Sequence, residues 1–203
     1  KVLPVVPSCS MAKRLERAGA TAVIAEGGES GGHVGDMTTM TLLPQVCDAV
    51  SIPVVAAGGI ADGRGVAAAF MLGAVGVQMG TRFLTALECK IHRNYKNKIL
   101  EAKDIGTLTT GKRLGHPVRC LKSPFSRRYF KMEYDNSISN EEMEAMGAGA
   151  LRIAVQEGDM EKGCFMAGQV AGMIKREQPA QEIIEEIFGE TEQVLSGAMK
   201  WVK

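Results

Sequence analysis

A glycine-rich segment contains the residues of this sequence that are best suited to chemistry. Residues 26–35 include five glycines, which let the backbone approach a flat or anionic ligand closely because they carry no side chain. His33 is the one histidine of this segment, and it can donate or accept a proton near neutral pH. We therefore interpret His33 as the candidate catalytic residue. The alternative is a histidine that only hydrogen-bonds the loop in place.

The other titratable residues of interest carry weaker signals. Glu26 comes directly after a predicted strand, where it could accept an N–H of a ligand, whereas Glu29 is equally compatible with an exposed turn. His92 and His116 lie in a basic region without companion residues, and we interpret both as surface or structural residues.

Two further loops suit a phosphate group. Gly58 and Gly59 follow one predicted strand, and Gly80 and Thr81 follow the next. Small residues with free backbone N–H groups at the ends of neighbouring strands form anion sites. The pair of loops, separated by one strand–helix unit, predicts a ligand that carries a phosphate.

These loops all follow strands of one type. Four short apolar runs are predicted strands, at 2–6, 21–25, 52–57 and 74–79. Each run is apolar throughout, which is typical of parallel strands that are buried on both faces. Helical spacing between the runs predicts right-handed βαβ units, with the ligand loops at the carboxyl ends of the strands. Four strands correspond to a small open sheet or to half of a (β/α)₈ barrel whose other half lies upstream.

The second half of the chain has a different pattern. Residues 88–128 are rich in lysine and arginine. This segment is either a solvated helical surface or a docking surface for a phosphate or an acidic partner. The last forty residues are predicted to be helical, because apolar residues recur there at helical spacing.

Composition excludes several classes of function. The 203 residues are 45% hydrophobic and carry a net charge of +1, which gives no field to attract nucleic acid. No apolar run is long enough to span a membrane. Five cysteines without metal-pair spacing argue against a disulfide framework and a metal site, so a cytoplasmic location is expected. The first residue is Lys1, and we expect the chain to be cut from a longer protein.

Several of these motifs resemble a known family. Residues 25–35 are similar to the histidine loop of the nitronate monooxygenase superfamily of FMN-dependent barrels, and residues 53–60 and 76–83 resemble its two phosphate strands. Residues 38–42 and 115–119 resemble one branch of that superfamily, the FMN-dependent enoyl-acyl-carrier-protein reductase II (FabK-type) enzymes.

The resemblance implies an α/β fold, a TIM (β/α)₈ barrel of which this chain holds about the C-terminal half, with the N-terminal part absent. Residues 1–85 would be the C-terminal half of the FMN-binding barrel, residues 86–160 a small mixed subdomain, and residues 161–203 C-terminal helices that pack on the barrel. A homodimer is expected.

The resemblance also implies FMN as the cofactor and NADH or NADPH as co-substrate. The residues implied to bind the cofactor are Glu26, Gly31, Gly32, Gly58, Gly59, Gln78, Met79, Gly80 and Thr81. His33 would be the active-site histidine of the family.

Three functions follow from these observations. The resemblance favours reduction of the enoyl thioester double bond on acyl carrier protein, in fatty acid elongation, with His33 positioning or protonating the thioester. The alternative is a nitronate monooxygenase that oxidises nitroalkanes with FMN and oxygen, in which His33 takes a proton from the substrate. A non-redox synthase or isomerase of the same barrel type, binding a phosphorylated metabolite through the same loops, is an alternative of another class.

Overall fold

A computed structural model describes residues 1–201. These residues form two units by their internal contacts. The first unit comprises residues 1–29, residues 35–79 and the described residues from 178 onward, and the second comprises residues 30–34 and 80–177. The three-part division predicted from the sequence stays a prediction, and Val202 and Lys203 of its last part lie outside the described residues.

The described residues contain parallel and antiparallel strands and eight α-helices. The strands are β1 (Val5–Val6), β2 (Val23–Glu26), β3 (Gly32–His33), β4 (Val54–Ala57), β5 (Gly76–Gln78), β6 (Thr107–Thr110) and β7 (Val118–Leu121). The helices are α1 (Cys9–Arg17), α2 (Thr39–Ala49), α3 (Gly63–Met71), α4 (Arg93–Leu100), α5 (Pro124–Met132), α6 (Asn140–Gly147), α7 (Ala150–Gln156) and α8 (Ala180–Gly197). None of these helices is both long and apolar enough to cross a membrane.

The first unit is built on a parallel sheet with the strand order β1-β2-β4-β5. Val23 pairs with Val54, and Val55 pairs with Gly76. The strands of this sheet therefore lie side by side in the order in which they occur in the chain. The sequence prediction of four parallel strands with intervening helices is confirmed, because these runs are apolar on both faces. The strands are shorter than predicted. Val2 and Leu3 precede β1 and are 64% and 47% exposed.

Helices cover this sheet and end in local caps. Asp62 caps the start of α3, where its carboxylate accepts a hydrogen bond from the backbone N–H of Gly65 at 3.0 Å. Helix α8 packs along α3. There the Glu190 carboxylate accepts a hydrogen bond of 2.7 Å from the backbone N–H of Gly63. A Cβ on Gly63 would lie 2.5 Å from the backbone nitrogen of Thr191, so the close packing of the two helices requires glycine.

The second unit contains an antiparallel sheet with the order β3-β7-β6. Neighbouring residues of β7 point to opposite faces of this sheet. Leu121 packs into an apolar cluster with Tyr95, Ile99 and Phe165. Cys120 packs into another cluster, whose buried members are Cys120, Phe125, Tyr129, Met143, Ala150 and Cys164.

One prediction for this half of the chain is wrong in part. The last forty residues are not helical throughout, because no helix covers residues 174–179, where Pro179 disfavours a helical conformation of the residue before it. Before this stretch, Phe165 and Ala171 pack in one apolar cluster and Cys164 and Met166 in the other, whereas Met173 is 46% exposed. The basic segment is also more than a solvated surface, since Lys96 is buried and donates to the carbonyl oxygen of Ala86 at 2.6 Å.

Candidate functional site

The loops after β2 and β4 are tied together by two side chains of the first unit. Both carboxylate oxygens of Glu29 lie 3.0 Å from the backbone nitrogen of Thr39, at the start of α2. The Thr39 hydroxyl lies 3.0 Å from Glu29 Oε2 and 2.9 Å from the carbonyl oxygen of Gly58, and its single proton can serve one of them at a time. Glu29 is therefore a partly buried anchor and not an exposed turn residue.

Close backbone contacts require glycine in these loops. A Cβ on Gly27 would lie 2.1 Å from the Thr39 hydroxyl oxygen. Gly58 has a φ of +83°, and a Cβ there would lie 2.7 Å from the carbonyl oxygen of Gly27. The glycines at these two positions are therefore required by packing within the protein, and not only by the approach of a ligand.

In the loop after β4, Gly59 has a backbone conformation that can present its N–H group to an anion. Its φ is +71°, a conformation that favours glycine. Among the described residues, no acceptor receives the backbone N–H of Gly58 or Gly59. Two unpaired N–H groups at the carboxyl end of a parallel strand suit a phosphate. Glu26 is partly buried at the end of β2, and Gln78, at the end of β5, is exposed and followed by half-buried Met79.

The segment after β5 begins the second unit. Gly80 is exposed and has no atom within 4 Å of the position that a Cβ would take. Thr81 is 8% exposed, and its hydroxyl oxygen accepts a hydrogen bond of 2.9 Å from the backbone N–H of Gly168. The hydroxyl proton of Thr81 stays available for an acceptor such as a phosphate oxygen.

The part of the histidine loop that belongs to the second unit contains an unexpected polar group. Ser30 is 8% exposed, and its hydroxyl has no hydrogen-bond partner among the described residues. An unpartnered buried hydroxyl costs free energy unless a ligand or water satisfies it. A Cβ on the adjacent Gly31 would lie 2.5 Å from the backbone carbonyl carbon of Ala167, so this contact requires glycine. Ser30 was not among the predicted site residues, and its signal in the sequence is a hydroxyl residue between two pairs of glycines.

His33 lies beside an apolar cavity. It is exposed on β3, where it pairs with Val118 of β7. The adjacent cavity has a volume of about 270 Å³. Its lining residues are His33, Thr110, Gly111, Leu114, His116, Val118, Phe125, Tyr129, Gly147, Gly149, Leu151, Cys164 and Met166. The only titratable imidazoles of this lining are thus His33 and His116, and the walls are mostly carbon.

His116 lines the same cavity, although its position in the sequence predicted a surface or structural residue. It is exposed, as predicted, and its position beside His33 was not foreseen. Nothing in the local sequence signals this position, because it depends on the pairing of His33 with Val118. His92 has the structural role predicted for it, because its Nδ1 accepts the backbone N–H of Asn94 at 3.1 Å and caps α4.

The turn that carries His116 is held by a buried carboxylate. Glu133 accepts a hydrogen bond from the backbone N–H of Gly111. Burial raises the pKa of Glu133 above its usual value, while the hydrogen bonds from Gly111 and Lys112 act in the opposite direction. Gly111 has a φ of +80°, and a Cβ there would lie 2.3 Å from the carbonyl oxygen of His116.

Two other groups of this wall stay protonated at neutral pH. Burial raises the pKa of the Tyr129 hydroxyl, and the negative charge of Glu133 raises it further. The interaction with the neighbouring Cys120 thiol and burial raise the pKa of the Cys164 thiol, and the same interaction lowers the pKa of Cys120. Within the described residues no three histidine, cysteine, aspartate or glutamate side chains are placed to hold a metal ion.

Comparisons with known proteins point to one family. A family model described as nitronate monooxygenase matches residues 1–190. A probable nitronate monooxygenase of Staphylococcus saprophyticus is 35% identical over 208 residues, which cover 97% of this chain and 58% of the relative.

Two further relatives carry other names. A Mycobacterium tuberculosis protein named (3aS,4S,5R,7aS)-5-hydroxy-7a-methyl-1-oxo-octahydro-1H-indene-4-carboxyl-CoA dehydrogenase is 34% identical over 225 residues, covering 92% of this chain and 63% of the relative. The solved structure of FabK from Thermotoga maritima is 51% identical, with a TM-score of 0.96, and the match covers 100% of this chain and 64% of that one. The chain therefore spans about three fifths of the length of these relatives.

Proposed function

The chain belongs to the nitronate monooxygenase family, and on that premise we propose that it is the part of an FMN-dependent oxidoreductase that binds and reduces an enoyl thioester. Acyl carrier protein is the proposed carrier of the thioester, and NADH or NADPH the proposed reductant. The similarity to FabK at 51% identity supports this branch of the family. A relative named as a carboxyl-CoA dehydrogenase also supports a thioester substrate.

The observation that carries the proposal is the cavity beside His33. Its volume of about 270 Å³ and its lining by Leu114, Phe125 and Met166 suit an apolar acyl chain. An apolar wall gains free energy when carbon groups of a ligand displace water from it. A short nitroalkane has little carbon surface to bury in such a cavity.

The residues of each unit fit the phosphate of FMN by their local geometry. In the first unit, Gly58 and Gly59 offer unpaired N–H groups at a strand end. In the second unit, Gly80 has open space where a Cβ would be, and Thr81 keeps a hydroxyl proton to donate. The orphaned Ser30 hydroxyl is a further group that a bound ligand would satisfy. Gly31, Gly32, Glu26, Gln78 and Met79 remain proposed contacts of the cofactor.

His33 is proposed to orient the thioester or to protonate it. FMN, when bound, supplies the transfer of hydride between the nicotinamide and the carbon–carbon double bond. The imidazole of His33 is exposed to the cavity and free to meet a substrate carbonyl. Reduction of the double bond needs a proton in addition to hydride, and histidine is the side chain best matched to supply one near neutral pH.

Nitronate oxidation is the second candidate, because the Staphylococcus saprophyticus relative bears that name. In that reaction His33 would act as the base that removes a proton from the nitroalkane. The two reactions require the same cofactor and differ in both the electron donor and the electron acceptor, so the structure of the cofactor loops favours neither. A non-redox enzyme using the same phosphate loops is the third candidate.

One pair of assays distinguishes the three candidates. The purified protein is examined for a flavin absorption spectrum, and then for NAD(P)H oxidation that depends on a crotonyl thioester and for oxygen uptake that depends on a nitroalkane. We expect a yellow protein whose NAD(P)H oxidation requires the thioester. Oxygen uptake with the nitroalkane alone would favour the monooxygenase, and a colourless protein that binds no added FMN would favour the non-redox enzyme.

A further inference from the structure

A second cavity of the second unit is lined by basic side chains. It has a volume of about 360 Å³ and lies at the end of the β6–β7 hairpin where β6 begins and β7 ends. Its lining residues are Lys98, Glu101, Ala102, Lys103, Ile105, Gly106, Leu121, Lys122 and Arg127. Four of these are cationic and one is anionic, so the cavity carries a net charge of +3.

The four cations have no carboxylate partner. Among the described residues, no carboxylate oxygen lies within 4 Å of a side-chain nitrogen of Lys98, Lys103, Lys122 or Arg127. Arg93 and Lys96 of the same unit, by contrast, both contact Glu177. The cations of the cavity therefore converge on one space without internal neutralisation.

Among the four cations of this cavity, Lys98 is the one whose pKa is lowered by burial away from water. It is half-buried, and its ammonium lies 5.9 Å from the centroid of the Phe165 ring. Burial lowers the pKa of Lys98, and the neighbouring Arg127 lowers it further, while Glu101 opposes the shift. An anion in the cavity would reverse this unfavourable balance, because it attracts both cations at once.

We propose that this cavity binds a small phosphorylated molecule through Lys98, Lys103, Lys122 and Arg127. A phosphate group carries up to two negative charges, which matches several cations around one space better than a single carboxylate does. Ala102, Ile105 and Leu121 provide apolar wall beside the cations, which suits a phosphate attached to an organic group. The volume lies in the range of small-molecule pockets, whereas a protein partner would need a broad surface.

The proposal does not depend on the proposed reaction, because it is tested by binding without turnover. Isothermal titration calorimetry of the purified protein measures the affinity for pyrophosphate, for AMP against adenosine, and for phosphopantetheine against pantetheine. We expect at least one phosphorylated probe to bind and its unphosphorylated counterpart not to bind. The pattern distinguishes an inorganic, a nucleotide and a pantetheine source of the phosphate.

Variants locate the binding in the cavity. Lys122→Gln and Arg127→Gln should each weaken binding of the phosphorylated probe by about tenfold or more, because each removes a charged contact. Lys122→Arg keeps the charge and should retain binding. The matched control is Lys131→Gln, which removes a charge from the same helix as Arg127 but at an exposed position outside the cavity.

Three results would contradict a phosphate site in this cavity. If no phosphorylated probe binds, or if each probe and its unphosphorylated counterpart bind equally, the cavity is not a phosphate site. The same holds if Lys131→Gln weakens binding as much as the cavity variants do. A melting temperature of each variant equal to that of the unaltered protein shows that the loss is one of binding and not of folding.

Discussion

The Glu29 carboxylate receives the backbone N–H of Thr39 on both of its oxygens, each 3.0 Å from the nitrogen. A negative charge at this position also interacts favourably with the positive end of the α2 dipole. The Thr39 hydroxyl extends the contact to Gly58, so one carboxylate helps to fix the loops after both β2 and β4.

Replacement of Glu29 should therefore destabilise the first unit. Glu29→Ala removes the acceptor and should lower the free energy of unfolding by about 1–3 kcal/mol, while Glu29→Gln keeps an acceptor oxygen and should cost less. Urea unfolding followed by circular dichroism measures both variants. Equal stability of Glu29→Ala and the unaltered protein would show that the contact contributes nothing.

The two phosphate loops should respond differently to an added side chain. Gly59→Val forces a branched residue into a φ of +71°, and its Cβ would lie 3.3 Å from Glu29, so it should both destabilise the fold and weaken FMN binding. Gly80→Val places its side chain in open space and should leave the melting temperature unchanged while weakening FMN binding. Flavin titration beside thermal unfolding separates the two effects. Normal FMN affinity of Gly80→Val would place the phosphate elsewhere.

The hydroxyl of Thr81 should contribute both to stability and to the affinity for FMN. Thr81→Val leaves the buried N–H of Gly168 without an acceptor and removes a donor for the phosphate. We expect a loss of about 1–3 kcal/mol in the free energy of unfolding and a weaker affinity for FMN. Thr81→Ser keeps the hydroxyl and should preserve both quantities, as measured by urea unfolding and flavin titration. A Thr81→Ser variant as impaired as Thr81→Val would contradict this explanation.

His33 should affect turnover more than cofactor binding. His33→Ala should retain FMN and lower kcat by about 10²–10⁴-fold, the usual effect of losing a positioned acid or base. His116→Ala, which alters the same cavity, is the matched control and should change KM more than kcat. Steady-state kinetics with a crotonyl thioester measures both variants. An unchanged kcat for His33→Ala would reduce His33 to a structural residue.

Glu133 should make stability depend on pH. Its pKa is raised in the folded state, so the folded protein holds this proton more tightly than the unfolded chain does. The stabilising contribution is complete below the unfolded pKa and is lost as the pH rises through the raised folded pKa. Glu133→Gln cannot titrate and serves as the reference. From about pH 4.5 upward, the melting temperature of the unaltered protein should fall relative to that of this variant. A constant difference across that range would exclude the raised pKa.

The sequence predicted the parallel sheet well, because continuous apolar runs such as 52–57 are typical of parallel strands that are buried on both faces. It could not predict β3, since a strand of two residues has no periodicity of its own. The pairing of His33 with Val118 joins residues far apart in sequence, and only this pairing brings His116 to the cavity.

The other differences have the same origin in tertiary packing. Apolar spacing before Pro179 resembled a helix face, but Cys164 and Phe165 are buried in an irregular segment. The basic residues were treated as one segment because of their composition. In the structure Lys96 contacts Glu177, whereas Lys98 and its neighbours line the second cavity. Burial of a long cationic side chain leaves no mark in the sequence.

The contact between Gly63 and Glu190 has a consequence for the order in which the chain can fold during synthesis. These residues are 127 positions apart, and α8, which carries Glu190, belongs to the same unit as the first strands. The ribosome therefore releases the whole of residues 80–177 before the first unit can gain its last helix. Because domains generally fold as they emerge, the inserted unit can acquire its structure while the first still exposes the apolar face of α3. The docking of α8 thus completes the first unit only after the second has been synthesised, and until then the apolar face of α3 stays uncovered in the nascent chain.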